Sequence, residues 1–172
     1  MNRSTSTMEI FLQPGEYFVG DADYRIRTLL GSCVSVTLWH RAKRIGAMSH
    51  FLLASRGEGQ VMELDGRYGD EAMQLLMRDL RLAGVDPHAC EAKIFGGGNM
   101  FPRQRRASTI EVGQKNGEFA RSMLRDQGIP VLSESLYGVG HRQVIFDISN
   151  GHVWSRQVKP ADPGMPETGA AA

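Results

Sequence analysis

The stretch that most restricts what this chain can become runs from Arg25 to Leu53. Arg25 to Leu29 reads as a strand that ends at Gly31-Ser32, where glycine permits backbone angles other residues reach only with strain. Beyond that corner Val34, Val36 and Leu38 alternate with Ser35, Thr37 and Trp39, the period-two pattern of a half-buried strand. His40 to Arg44 is a polar, basic turn, and Ile45 to Leu53 is apolar enough for a more deeply buried strand. Three strands in succession commit this part of the chain to a sheet. Cys33 stands at the head of the second and His50 within the third.

The flanking segments follow the same logic. Glu9 to Leu12 and Tyr17 to Val19 read as short strands around a Pro14-Gly15 turn. Residues 54–66, rich in Gly, Ser and charge, read as a flexible loop beside the strands. Tyr68, Ala72, Met73, Leu75, Leu76, Leu80 and Ala83 recur at three- and four-residue steps, with Asp70 and Glu71 early and Gly84 as a stop, which predicts an amphipathic helix. Glu91 to Phe95 is a strand entering the Gly96-Gly97-Gly98 loop, and a second helix is expected over 113–127. Val131 to Leu136, Val144 to Ile148 and Val153 to Val158 complete the strands, with Asn150-Gly151 as a type I′ hairpin signal. From Lys159 onward no apolar period survives, so residues 1–158 read as one domain and 159–172 as a disordered tail. Many strands with two helices and no regular βαβ alternation predict an α+β domain, mostly antiparallel, with its helices gathered on one side.

Composition removes several functional classes. Twenty basic and nineteen acidic residues give a net charge of +1, so nothing asks for nucleic acid or an anionic membrane. No apolar run approaches the roughly 20 residues of a membrane span, and a soluble, cytoplasmic protein is expected. Two cysteines without CxxC spacing are too few for a disulfide scaffold and are expected as reduced thiols. His40, His50, His88 and Cys90 show no zinc-ligand spacing, and Gly96 to Gly98 lacks the GxGxxG order, so neither metal nor cofactor is expected.

A thiol becomes a useful nucleophile when a neighbouring imidazole takes its proton. Cys33 and His50 lie on strands joined by a short turn, so hairpin pairing would bring them to one end of a sheet. A turn centred near Lys43 sets Cys33 opposite residue 52 or 53, and a bulge or stagger is then needed to bring His50 alongside. Spacing alone leaves two readings open. A lone cysteine in an apolar strand is commonly a small buried hydrophobe, and a lone strand histidine a satisfied structural residue. The glycine loop is either a plain loop or a set of amides that holds an oxyanion near Cys33. Arg103, Arg105 and Arg106 are a solvated loop or a surface for an acidic protein.

With these residues in view, the sequence resembles the chemoreceptor glutamine deamidase family, CheD, of bacterial chemotaxis. Leu30-Gly31-Ser32-Cys33-Val34-Ser35-Val36 and Gly46-Ala47-Met48-Ser49-His50 look like the family's LGSCVxV and GxMxH segments. Tyr68 to Ala72 is similar to its YxDxA helix start, Phe95 to Met100 to its FGGxxM loop, Gly113 to Asn116 to its GxRN helix entry, and Val144 to Asp147 to its VxFD strand. Lys115 stands where the family commonly has Arg, and Tyr137-Gly138 replaces a commoner glycine pair. The resemblance implies a layered α+β sandwich that hydrolyses selected glutamine side chains on chemoreceptor cytoplasmic helices through a thioester. Cys33 would be the nucleophile, His50 the base and Thr28 the residue orienting the imidazole, with Ser32, Gly97 and Gly98 lining the substrate. Receptor helices are the implied partners, together with a CheC-type phosphatase. The competing expectations are a non-catalytic module that regulates a phosphatase or receptor, and a general cysteine protease.

Overall fold

The computed structural model describes residues 6–59, 62–102 and 107–160. The chain order is β1 (Met8–Leu12), β2 (Tyr17–Gly20), β3 (Tyr24–Leu30), β4 (Val34–His40), β5 (Ile45–Ser49), α1 (Gly69–Leu82), β6 (Glu91–Gly96), α2 (Ala107–Asp126), β7 (Val131–Leu136), β8 (His141–Asp147) and β9 (Val153–Val158). One sheet has the order β1-β3-β8-β9, the other β2-β5-β4-β6-β7. Most neighbours run antiparallel, while β1 with β3 and β6 with β7 are parallel. The α+β sandwich expected from the sequence is therefore present, with both helices against the second sheet. No helix among the described residues is long and apolar enough to cross a membrane.

Two apolar interiors follow from this layering. Leu12, Ile26, Leu30, Met48, Val144 and Phe146 fill the space between the sheets. Val34, Phe51, Leu76, Leu80, Ile94 and Leu124 join the second sheet to the helices. Each fully buried side chain of this size contributes about 1.5–3 kcal/mol through removal from water. Strand β4 is buried on both faces, because sheet covers one side and helix the other. The Gly31-Ser32 corner is where the chain leaves the first sheet (β3) for the second (β4).

The elements depart from the sequence expectations in physically instructive ways. β1 and β2 flank the Pro14-Gly15 turn but join different sheets. α2 begins at Ala107, before the expected Gly113, which lies inside the helix. A Cβ at Gly113 would stand 2.5 Å from the Gly97 carbonyl oxygen, so glycine there lets the helix approach the glycine loop. The β8–β9 connection is not a type I′ turn, since Gly151 is left-handed and Asn150 is not. It closes instead through Gly151 N–H donating to Asp147 O at 2.8 Å. Residues 54–59 and 62–66 lie outside the helices and strands and are tied to α1, where Arg56 donates to the buried Glu71 carboxylate at 2.5 and 2.7 Å. Arg103, Arg105 and Arg106, and the tail from 161 onward, lie outside the described residues.

Candidate active site

Register decides whether Cys33 and His50 can meet. Val34 and Phe51 form an antiparallel bridge, with Val34 N–H to Phe51 O at 3.1 Å and the reciprocal bond at 3.0 Å. Both side chains point to the helix-side interior. Alternation then turns the residues before each of them, Cys33 and His50, to the other face, between the sheets. This pairing shares one register with Thr37↔Met48, so the expected bulge is absent. Cys33 and His50 are diagonal neighbours instead, a placement that leaves backbones about 7–8 Å apart. His50 also lies just past β5 and not within it. Its N–H bonds Glu16 O at 3.1 Å.

The imidazole is fixed from the opposing sheet. Thr28, buried on β3, places Oγ1 2.7 Å from His50 Nδ1 and 2.8 Å from Leu12 O. The Leu12 carbonyl can only accept, so the threonine hydroxyl donates to it and receives the Nδ1–H of His50. That chain of bonds leaves Nε2 as the nitrogen with a free lone pair. Parallel pairing of β1 with β3 sets Leu12 directly beside Thr28 and makes this possible. His50 is 1% exposed, and loss of hydration pushes its pKa down to about 4. Burial likewise raises the Cys33 thiol, with a smaller opposing effect from its own backbone N–H. The resting pair is therefore neutral thiol and neutral imidazole.

The corner that carries Cys33 is tied down at each carbonyl. Gly98 N–H donates to Gly31 O and Gly97 N–H to Cys33 O, both at 2.9 Å. Asn116 Nδ2, from α2, donates to Ser32 O at 3.1 Å and to Leu52 O at 2.7 Å. One buried amide thus joins the Cys33 corner to the segment just after His50. Gly96 is left-handed at φ +119°, and a Cβ there would sit 2.2 Å from Cys33 O, so only glycine allows this approach. The amides of Gly97 and Gly98 are engaged in bracing the corner, which favours the plain-loop reading over the one in which they hold an oxyanion. Gly98 and Ser32 still line a small cavity beside Cys33. Cys33 N–H donates to no described backbone carbonyl.

Behind the glycine loop stands Arg142, which is 2% exposed. It donates from Nη1 to Gly96 O and from Nη2 to Tyr137 O, each at 2.8 Å. Its Nε has no hydrogen-bond partner among the described residues, and burial lowers its pKa. Tyr137 is itself left-handed, at φ +69°. Sequence reading missed Arg142, although its signal was there: stepping back by two from Phe146 and Val144 along β8 puts 142 on the inward face. Asn116 was noticed only as part of a motif. Lys115 points away, largely exposed and 3.9 Å from Glu111.

A family model described as CheD chemotactic sensory transduction matches residues 52–157. Across 93% of both chains, the sequence is 60% identical to a probable chemoreceptor glutamine deamidase CheD 2 of Albidiferax ferrireducens. It is 42% identical to the probable CheD 1 of Chromobacterium violaceum, over 89% of this chain and 79% of that one. A probable CheD of Pseudomonas savastanoi is 41% identical over 91% and 88% of the two chains.

Proposed function

The chain belongs to the CheD family, and we propose that it is a chemoreceptor glutamine deamidase acting through Cys33. The observation that carries this reading is the Leu12–Thr28–His50 hydrogen-bond chain, which leaves one imidazole nitrogen unprotonated on the face that holds Cys33. As Cys33 Sγ adds to the glutamine side-chain carbonyl carbon, His50 Nε2 takes the thiol proton. The same proton passes to the amide nitrogen, the C–N bond breaks, and ammonia leaves a thioester on Cys33. Water, deprotonated by His50, adds to the thioester carbonyl. The C–S bond then breaks, and glutamate and the free thiol are released. Thr28 acts on orientation, since a neutral hydroxyl stabilises an imidazolium less than a carboxylate does.

Because the Gly97 and Gly98 amides are engaged, the Cys33 N–H is the donor we assign to the oxyanion of each tetrahedral intermediate. Ser32 and Gly98 supply wall, and Gly97 holds the corner. No cofactor takes part in these steps. The reading places the enzyme in the cytoplasm, with receptor helices as substrate. A CheC-type phosphatase is proposed as a further partner on the sequence resemblance alone, and co-purification from cells tests it. Incubating a cognate receptor cytoplasmic fragment with the wild type and Cys33→Ala proteins, followed by mass spectrometry, tests the activity. Conversion of glutamine to glutamate by the wild type alone is expected. No conversion by either protein would overturn the reading, and cleaved peptide bonds would replace it with a protease.

A further inference from the structure

Next to the nucleophile corner lies a cavity of about 110 Å³ lined by Ser32, Gly98, Met100, Phe101 and Val112. Ser32 directly precedes Cys33, so one wall of the cavity lies a single residue, about 3.8 Å between Cα atoms, from the residue that carries the thiol. The walls are built by the same contacts that build the corner. Met100 packs on Gly31, where an added Cβ would come 2.9 Å from Met100 Cγ. Gly98 forms the floor, since a Cβ on it would stand 2.6 Å from Gly140 O. The loop beyond is braced by Asn99 N–H to Gly138 O and Gly140 N–H to Asn99 O, both at 2.8 Å, and by Phe101 N–H to Asn99 Oδ1 at 3.0 Å.

Among the described residues none of the lining side chains is charged, and only the Ser32 hydroxyl is polar. Phe101, at 54% exposed, remains in water on the rim. A glutamine side-chain amide has two N–H groups and a carbonyl to satisfy, and walls of Met, Phe and Val offer them nothing. An aliphatic side chain loses nothing there and gains from leaving water. Size agrees, because an apolar cavity of roughly 150 Å³ accepts a benzene ring and the present one is somewhat smaller.

We infer that this cavity is a specificity subsite that takes an apolar side chain flanking the target glutamine while the glutamine itself reaches Cys33. The inference rests on the deamidase reading and adds to it the chemical class of substrate: a protein glutamine with an aliphatic neighbour, not any exposed glutamine. Val112 on α2 and Phe101 on the rim set how large that neighbour can be.

The test uses a receptor cytoplasmic fragment at a glutamine that the wild-type enzyme converts. Each residue within four positions of that glutamine is set in turn to Leu or Ser, and the two fragments compete in one tube. Burying one aliphatic side chain predicts a preference for Leu over Ser of roughly tenfold in kcat/KM at one position. Val112→Phe, which fills the cavity, should bring that ratio to within about twofold of unity. Phe101→Ser, at an exposed site that folding does not depend on, should reduce it in part. A ratio near one at every position for the wild type would overturn the subsite while leaving the deamidase reading intact. A preference that both variants leave unchanged would also overturn it. If the wild type converts no glutamine in any fragment, the deamidase reading fails and the subsite falls with it.

Discussion

The chain holds two cysteines whose surroundings push them to opposite uses. Burial raises the pKa of both thiols. Cys90 is packed in the helix-side interior, its Sγ 3.9 Å from Asp86 O, and the carboxylates of Asp86 and Glu91 add to burial in driving its pKa up to about 11. Every influence there opposes a thiolate. Cys33 is half-buried at a sheet-to-sheet corner, shares a face with an imidazole kept neutral, and has its own N–H beside the sulfur. On the deamidase reading proposed above, reactivity at Cys33 would come from a base that receives the proton at the moment of attack, not from a thiol that is already ionised.

Substitution at the two cysteines separates them most sharply. Cys33→Ala should lower receptor deamidation by more than about 10³-fold, because the covalent route is lost. Cys90→Ala should leave the rate within about twofold and cost about 1–2 kcal/mol in denaturant unfolding, the effect of a small core cavity. An equal loss of activity from both would erase the distinction. His50→Ala should follow Cys33→Ala closely, with a loss of about 10²–10⁴-fold in kcat.

Thr28→Val keeps the shape but leaves His50 Nδ1–H without its acceptor. A loss of about tenfold to a hundredfold in kcat with KM little changed is expected. Thr28→Ser, which keeps the hydroxyl, should restore most of the rate. Equal activity in Thr28→Val and wild type would withdraw Thr28 from the site.

A separate set of effects concerns pH. With His50 at about 4 in the folded protein and near 6.5 when unfolded, the unfolded chain binds more protons between those values. Stability from this group is fully present above pH 6.5 and declines as pH falls towards 4, by on the order of 3 kcal/mol. Unfolding midpoints measured at pH 7 and pH 5 should differ in the wild type and converge in His50→Ala. The acidic limb of kcat/KM should lie near pH 4, and a limb near 6.5 would show that the imidazole is hydrated.

What was legible in the sequence was local. The Gly31-Ser32 corner and the apolar stripe of α1 are set by residues near one another in the chain and stand where expected. Strand β4, expected to be half-buried, is instead buried on both faces because helices cover the side turned away from the first sheet. What was illegible depends on which strand lies beside which. Thr28 can accept from His50 because β1 and β3 pair in parallel and the Leu12 carbonyl accepts the hydrogen bond of its hydroxyl, a fact no spacing between 28 and 50 encodes. The glycine loop could be read as a plain loop or as a set of amide donors, and its amides hold Gly31 and Cys33 because β6 pairs with β4 at Gly96↔Val34. Arg142 escaped notice because a cation facing inward makes sense only once the Gly96 and Tyr137 carbonyls are seen around it.

Alkylation of the folded protein by iodoacetamide at neutral pH, followed site by site with mass spectrometry in wild type and His50→Ala, tests the central claim most directly. In the wild type Cys33 should react well ahead of Cys90. In His50→Ala the Cys33 rate should fall by tenfold or more while Cys90 stays slow. A Cys33 rate indifferent to His50, or a Cys90 that reacts as readily, would contradict the account.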